Sequence, residues 1–176
     1  RPDNRRRRSR AGIRFIEAHT CWGGGEYGTR WKTIDGAAHW TSQTANLPSA
    51  YYRGTHLNAV HFLDSSNGIV VTDEAALVTR DGGISWAAVT AGLSGSYLTS
   101  AKMTSATSAV VVGTAGKIFK ITYSGSWSAV QATVSPGSSE LAAMSVFFEN
   151  ANNGWPVGCG CILRTPDGGA RVLRKT

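Results

Sequence analysis

The chain has 176 residues, of which 16% are charged and 21 are glycine, a composition that disfavours helices, whose interiors glycine weakens by about 1 kcal/mol. That length suits one ordinary domain with a sizeable core. The formal net charge of +7 sits almost entirely in the first 14 residues, whose seven Arg and one Asp account for +6, so the near-neutral body is not a basic groove for a phosphate backbone.

The chain opens on a basic arm, residues 1–12, containing Arg1, Arg10 and the run Arg5-Arg6-Arg7-Arg8. Such a run reads as a solvated arm, as the remnant of an organelle-targeting or processing segment, or as a contact for nucleic acid, acidic lipid or an acidic protein surface. The chain as a whole shows no specific nucleic-acid site. No apolar stretch approaches the roughly 18 residues that cross a bilayer as a helix, so no transmembrane segment is expected.

From residue 13 onward one phrase recurs: a strand of the form Val-x-Phe, a small apolar strand, then Thr-x-Asp-Gly-Gly-x-Ser-Trp. The copies open at Ile13-Arg14-Phe15, Val60-His61-Phe62, Ala101-Lys102-Met103 and Val146-Phe147-Phe148, with start-to-start spacings of 47, 41 and 45 residues. That period is the length of a four-stranded propeller blade, and one such sheet cannot bury both faces alone. The prediction is an all-β fold, a β-propeller or propeller arc of about four four-stranded antiparallel blades, with residues 13–176 as a single domain. Closure into a ring, an arc capped by a partner, and a fragment of a longer propeller all fit the repeat.

Within a copy, alternation in the first strand sends residues of opposite parity to opposite faces. Runs such as Asp64-Ser65-Ser66-Asn67 and Glu149-Asn150-Ala151-Asn152-Asn153 then turn the chain into the second strand. The third strand runs into Asp-Gly-Gly, where a carboxylate can accept bonds from the turn's own amides and a glycine can take a positive φ. Trp86 follows Gly83 and is expected to lay its ring between neighbouring sheets. The structural residues predicted from the four copies are Thr33, Asp35 and Trp40; Thr79, Asp81, Gly83 and Trp86; Trp127 alone in the third; and Thr165, Asp167 and Gly169.

This turn resembles the Asp-box, or BNR, repeat of β-propellers, usually Ser/Thr-x-Asp-x-Gly-x-Thr/Ser-Trp. Residues 79–86 match throughout; 33–40 have Ala37 for the glycine; 165–172 end in Arg171-Val172; the third copy has lost its Asp. Gly154-Trp155-Pro156-Val157-Gly158 followed by Ile162 to Gly169 is similar to blades of the photosystem II assembly and stability factor family and its bacterial relatives. The resemblance implies a non-enzymatic propeller that binds membrane-protein partners as an accessory or assembly subunit, in a thylakoid lumen or bacterial periplasm. The alternative it leaves is a carbohydrate-active or carbohydrate-binding protein of the sialidase type.

Residues suited to a partner are Arg30, Arg53, Arg80, Arg164 and Arg171 near turns, where guanidinium can pair with carboxylate, and Tyr51 and Tyr52 after Pro48. No catalytic residue, cofactor or metal is predicted. His19, His39, His56 and His61 lack ligand spacing, and Cys21, Cys159 and Cys161 are odd in number and suggest no disulfide framework.

Overall fold

In a computed structural model of the chain, the residues described are 12–15, 19–24, 30–43, 56–135, 143–158 and 161–174. They form strands only, grouped into four sheets. The first sheet contains β1 (Gly12–Phe15), β2 (Cys21–Gly24), β3 (Arg30–Thr33) and β4 (Thr41–Ser42). The second contains β5 (Ala59–Phe62), β6 (Gly68–Val71), β7 (Ala76–Thr79) and β8 (Ala87–Val89). The third contains β9 (Leu98–Ser105), β10 (Ser108–Gly113), β11 (Ile118–Tyr123) and β12 (Trp127–Gln131). The expected opening residues Ile13, Val60 and Ala101 lie in the first strands of these three sheets, and Val146 lies in an edge strand of the fourth.

The fourth sheet has one strand more than the repeat predicts. Its own strands β14 (Ala143–Phe148), β15 (Gly154–Gly158), β16 (Cys161–Arg164) and β17 (Arg171–Arg174) are joined by β13 (Thr133–Ser135), which directly follows the third sheet. β13 runs parallel to β17, pairing Thr133 with Arg171 and Val134 with Val172. All other pairings are antiparallel between strands adjacent in sequence, as hairpins require.

The first strands pack in series, β1 against β5, β5 against β9 and β9 against β14, so the sheets fan around them as propeller blades do. Three buried clusters fill the gaps. Trp22 of the first sheet meets Leu57, Phe62, Val70, Leu77 and Trp86 of the second. Ile69, Val71 and Val78 of the second meet Met103, Val111, Phe119 and Ile121 of the third. Val110, Val112 and Ile118 of the third meet Val146, Phe148, Leu163 and Val172 of the fourth. Strand alternation explains the division: even-numbered residues of β10 face forward to the fourth sheet, and odd-numbered ones face back to the second. Among the described residues no buried cluster joins the fourth sheet to the first. The chain is a propeller arc of four blades.

Asn58 fastens the second sheet to the third, donating from Nδ2 to the Leu98 carbonyl (2.7 Å) and the Asp73 carboxylate (2.8 Å). His61, 6% exposed, does the same through its ring, where Nδ1 accepts the amide proton of Met103 (3.2 Å).

Candidate interaction surface

The Thr-x-Asp turns share one geometry. Thr79 Oγ1, in a side chain 1% exposed, donates to Asp81 Oδ1 (2.8 Å) and accepts from the Gly83 amide (2.8 Å). Asp81 then accepts from the Ser85 amide (2.9 Å) and hydroxyl. Thr33 with Asp35 and Thr165 with Asp167 repeat the pattern, closing on the amides of Ala37 (3.0 Å) and Gly169 (2.8 Å) and of His39 (2.9 Å) and Arg171 (2.8 Å). The fourth residue of each turn, Gly36, Gly82 or Gly168, donates its amide to the turn before β2, β6 or β15, at His19, Ser66 or Asn152 (2.8–2.9 Å).

Electrostatics follow from those donors. The His39 amide, then the Thr33 hydroxyl and the His39 ring, hold the Asp35 carboxyl far below the usual carboxylate range. Partial burial pushes the Asp81 and Asp167 carboxyls up. The donors of Ser85 and Thr79, and of Arg171 and Thr165, outweigh it, so both lie below the usual range. These carboxylates are ionised acceptors committed to their own turns.

The fifth residue of the turn presses on the preceding sheet. A methyl group built on Gly83 would overlap the Trp22 ring, and one on Gly169 would lie 2.5 Å from Val110 Cγ2. Both glycines have positive φ, 87° and 88°, and Ala37 adopts 78° in their place. Trp86, 7% exposed, donates from Nε1 to the Gly83 carbonyl (3.1 Å) and meets Trp22 and Phe62 edge-on, at 6.2 and 6.1 Å between centroids. Trp40, its counterpart in the first sheet, is 37% exposed. Trp127 opens β12 and packs beside Tyr123 (5.2 Å).

The residues expected to meet a partner separate into different roles. Arg80 lies over the Tyr123 ring of the third sheet, 4.5 Å from its centroid. Arg171 pairs with Asp167 (2.8 Å) within the turn. Arg164 is exposed and, among the described residues, makes no ion pair. Arg53, Tyr51, Tyr52, Cys159 and residues 1–11 of the basic arm lie outside the described residues, as do the side chains of Arg30 and Cys161. His19 and His56 are exposed, His39 pairs with Asp35 (2.7 Å), and Cys21 is buried, with its Sγ 3.7 Å from the Trp22 carbonyl.

Arg164 belongs to a surface that the sequence reading did not assemble. Phe147 pairs with Trp155, Val157 with Ile162 and Arg164 with Leu173, so all six project from the forward face of the fourth sheet. Phe147 is 61% exposed, Ile162 53% and Leu173 47%, whereas their neighbours Val146, Phe148, Leu163 and Val172 are buried against the third sheet. Phe147 and Trp155 stack, with centroids 6.3 Å apart. The signal was present in the Val-x-Phe alternation, because the middle residue of each copy must face the next sheet.

Fifty-four solved chains match this architecture. An ancestral GH74 enzyme superposes on 96% of this chain with a TM-score of 0.70 at 14% identity; the matched part is 24% of the enzyme chain. YCF48 bound to a D1 peptide matches 96% of this chain and 83% of its own, with a TM-score of 0.54 at 17% identity. The Pan2 WD40 domain of Neurospora crassa matches 90% of this chain and 46% of its own, with a TM-score of 0.61 at 14% identity. The chain thus spans about a quarter of the enzyme and most of YCF48. At such identities the likeness is one of fold, and it is to propellers of both catalytic and binding kinds. No family model matches the chain, and no curated protein matches it by sequence.

Proposed function

We propose that the chain is a non-enzymatic, protein-binding propeller segment that serves as an accessory or assembly subunit of a membrane-associated complex. The observation that carries this reading is the forward face of the fourth sheet, where Phe147, Ile162, Leu173 and Arg164 are exposed beside Trp155 and Val157, and where Trp155, Val157 and Ile162 stand at the positions that Ile69, Val71 and Ala76 and Val110, Val112 and Ile118 fill as buried residues in the second and third sheets. Contiguous apolar surface of this kind is a contact surface. YCF48, similar in fold, has been solved with a D1 peptide bound, which supports a protein rather than a small molecule as the ligand.

The turn carboxylates add support, because each is occupied by amides and hydroxyls of its own turn rather than directed into a cleft. The carbohydrate reading draws on the likeness to the GH74 enzyme. Glycosidase chemistry calls for two carboxyl groups about 5–9.5 Å apart across a substrate. Two measurements separate the readings. The purified protein, incubated with detergent-solubilised membranes, is expected to migrate with a large complex on native gels and to release no reducing sugar from xyloglucan. Elution alone together with sugar release would replace the binding role with the enzymatic one.

A further inference from the structure

The three internal interfaces of the arc are of two kinds, and the difference lies at one register position. In the first sheet Lys32, opposite Trp22, donates from Nζ to the Gly82 carbonyl in the turn of the second sheet (3.3 Å). In the third sheet Lys120, opposite Val110, donates from Nζ to the Asp167 carbonyl in the turn of the fourth (3.1 Å). Both reach a complete Thr-x-Asp-Gly-Gly turn, whose Gly83 or Gly169 rests on Trp22 or Val110. The second sheet carries Val78 opposite Ile69 at this position, and the sheet it receives, the third, has lost the turn: Gly125 has nothing within 4 Å of its missing Cβ. A cation therefore stands where a complete turn follows, and an aliphatic residue where none does.

The fourth sheet has the cation. Arg164 precedes Thr165 as Lys32 precedes Thr33, and Trp155 falls opposite it in the register set by the Gly154–Thr165 bridge and the Val157–Ile162 pair. We propose that this open face is a docking surface for one further β-sheet that bears a Thr-x-Asp-Gly-Gly turn with glycine at the fifth position. Arg164 donates to a carbonyl of that turn, the glycine lies on the Trp155 ring, and an apolar rear face covers Phe147, Ile162 and Leu173.

A second copy of this chain meets all but one of these demands. The rear face of its first sheet offers Trp31 at the position of Leu77 and Leu163, 45% exposed, and Trp40 at that of Trp86. Its turn, however, has Ala37, whose Cβ occupies the space that Gly83 and Gly169 leave vacant. The chain thus excludes itself at the one point where glycine is required.

This inference rests on the reading of the open face as a binding surface, and self-association provides its test, with a second copy carrying Ala37→Gly as the probe. By sedimentation velocity the parent protein is expected to remain monomeric while the Ala37→Gly protein associates at least about tenfold more tightly. Adding Arg164→Glu to Ala37→Gly should return it to monomer, with circular dichroism and thermal melting unchanged. Equal association of parent and Ala37→Gly proteins, no association of either, or association that survives Arg164→Glu would each overturn the proposal. Co-migration with a membrane complex is a separate readout, so failure here and failure of the binding role are distinguishable.

Discussion

Thr79 shows how much of a blade one buried hydroxyl can organise, because it serves the Asp81 carboxylate and the Gly83 amide together. Replacing it with Val removes the hydroxyl that both groups bond to, and chemical denaturation should register a loss of about 1–3 kcal/mol. Asp81→Ala removes a more exposed partner and should cost about 1 kcal/mol while leaving partner affinity of the folded fraction within a few-fold. Selective loss of binding at full stability would contradict the architectural role assigned to the turn. The same carboxylates set the acid response. Their folded pKa values lie below the ordinary unfolded value of about 4, so their contribution is complete above that pH and is lost as pH falls through the folded values. Urea midpoints should therefore be flat from pH 7 to about 5 and fall below about 4, and Asp81→Asn should make that fall shallower.

Between sheets, the determining contacts are the close approaches of glycine. Gly83→Ala forces a methyl group into the Trp22 ring at a φ of 87°, and a loss of about 2–4 kcal/mol is expected by thermal melting. The equivalent change at Gly125 faces open space and should cost only the strain of its own backbone, about 1 kcal/mol. His61→Leu should also destabilise, by about 1–3 kcal/mol, since the Met103 amide loses its acceptor. At this scale the sequence was largely readable. Val-x-Phe alternation and the Asp-Gly-Gly turns located the sheets because both are local signals with period and spacing. Lys32 and Lys120 were passed over because their partners lie 50 and 47 residues away, although the residue before each turn is a cation in three copies and aliphatic in one. β13 escaped notice for a related reason. Thr133-Val134-Ser135 is too short for periodicity, and its parallel partner begins 38 residues later at Arg171.

As a whole, the molecule is an arc with two unequal ends. The first sheet presents Trp31 and Trp40 around a turn that carries Ala37; the fourth presents Phe147, Trp155 and Arg164 around a position that accepts glycine. What could not be read beforehand was which side chains gather at these ends, because that depends on where packing stops rather than on any one motif. The partner candidates Arg80 and Arg171 show the reverse: each looks like a free cation in the sequence and is engaged within the arc, by Tyr123 and by Asp167.

The parallel pairing of β13 with β17 has a mechanical side. The segment leaving the third sheet is clasped along the outer border of the fourth, so neither can be peeled away without tearing the other's hydrogen bonds. Under heat, force or protease the last two blades should melt as one cooperative unit, with amide protons of β10, β11, β16 and β17 exchanging at a common rate, while the first two come apart separately.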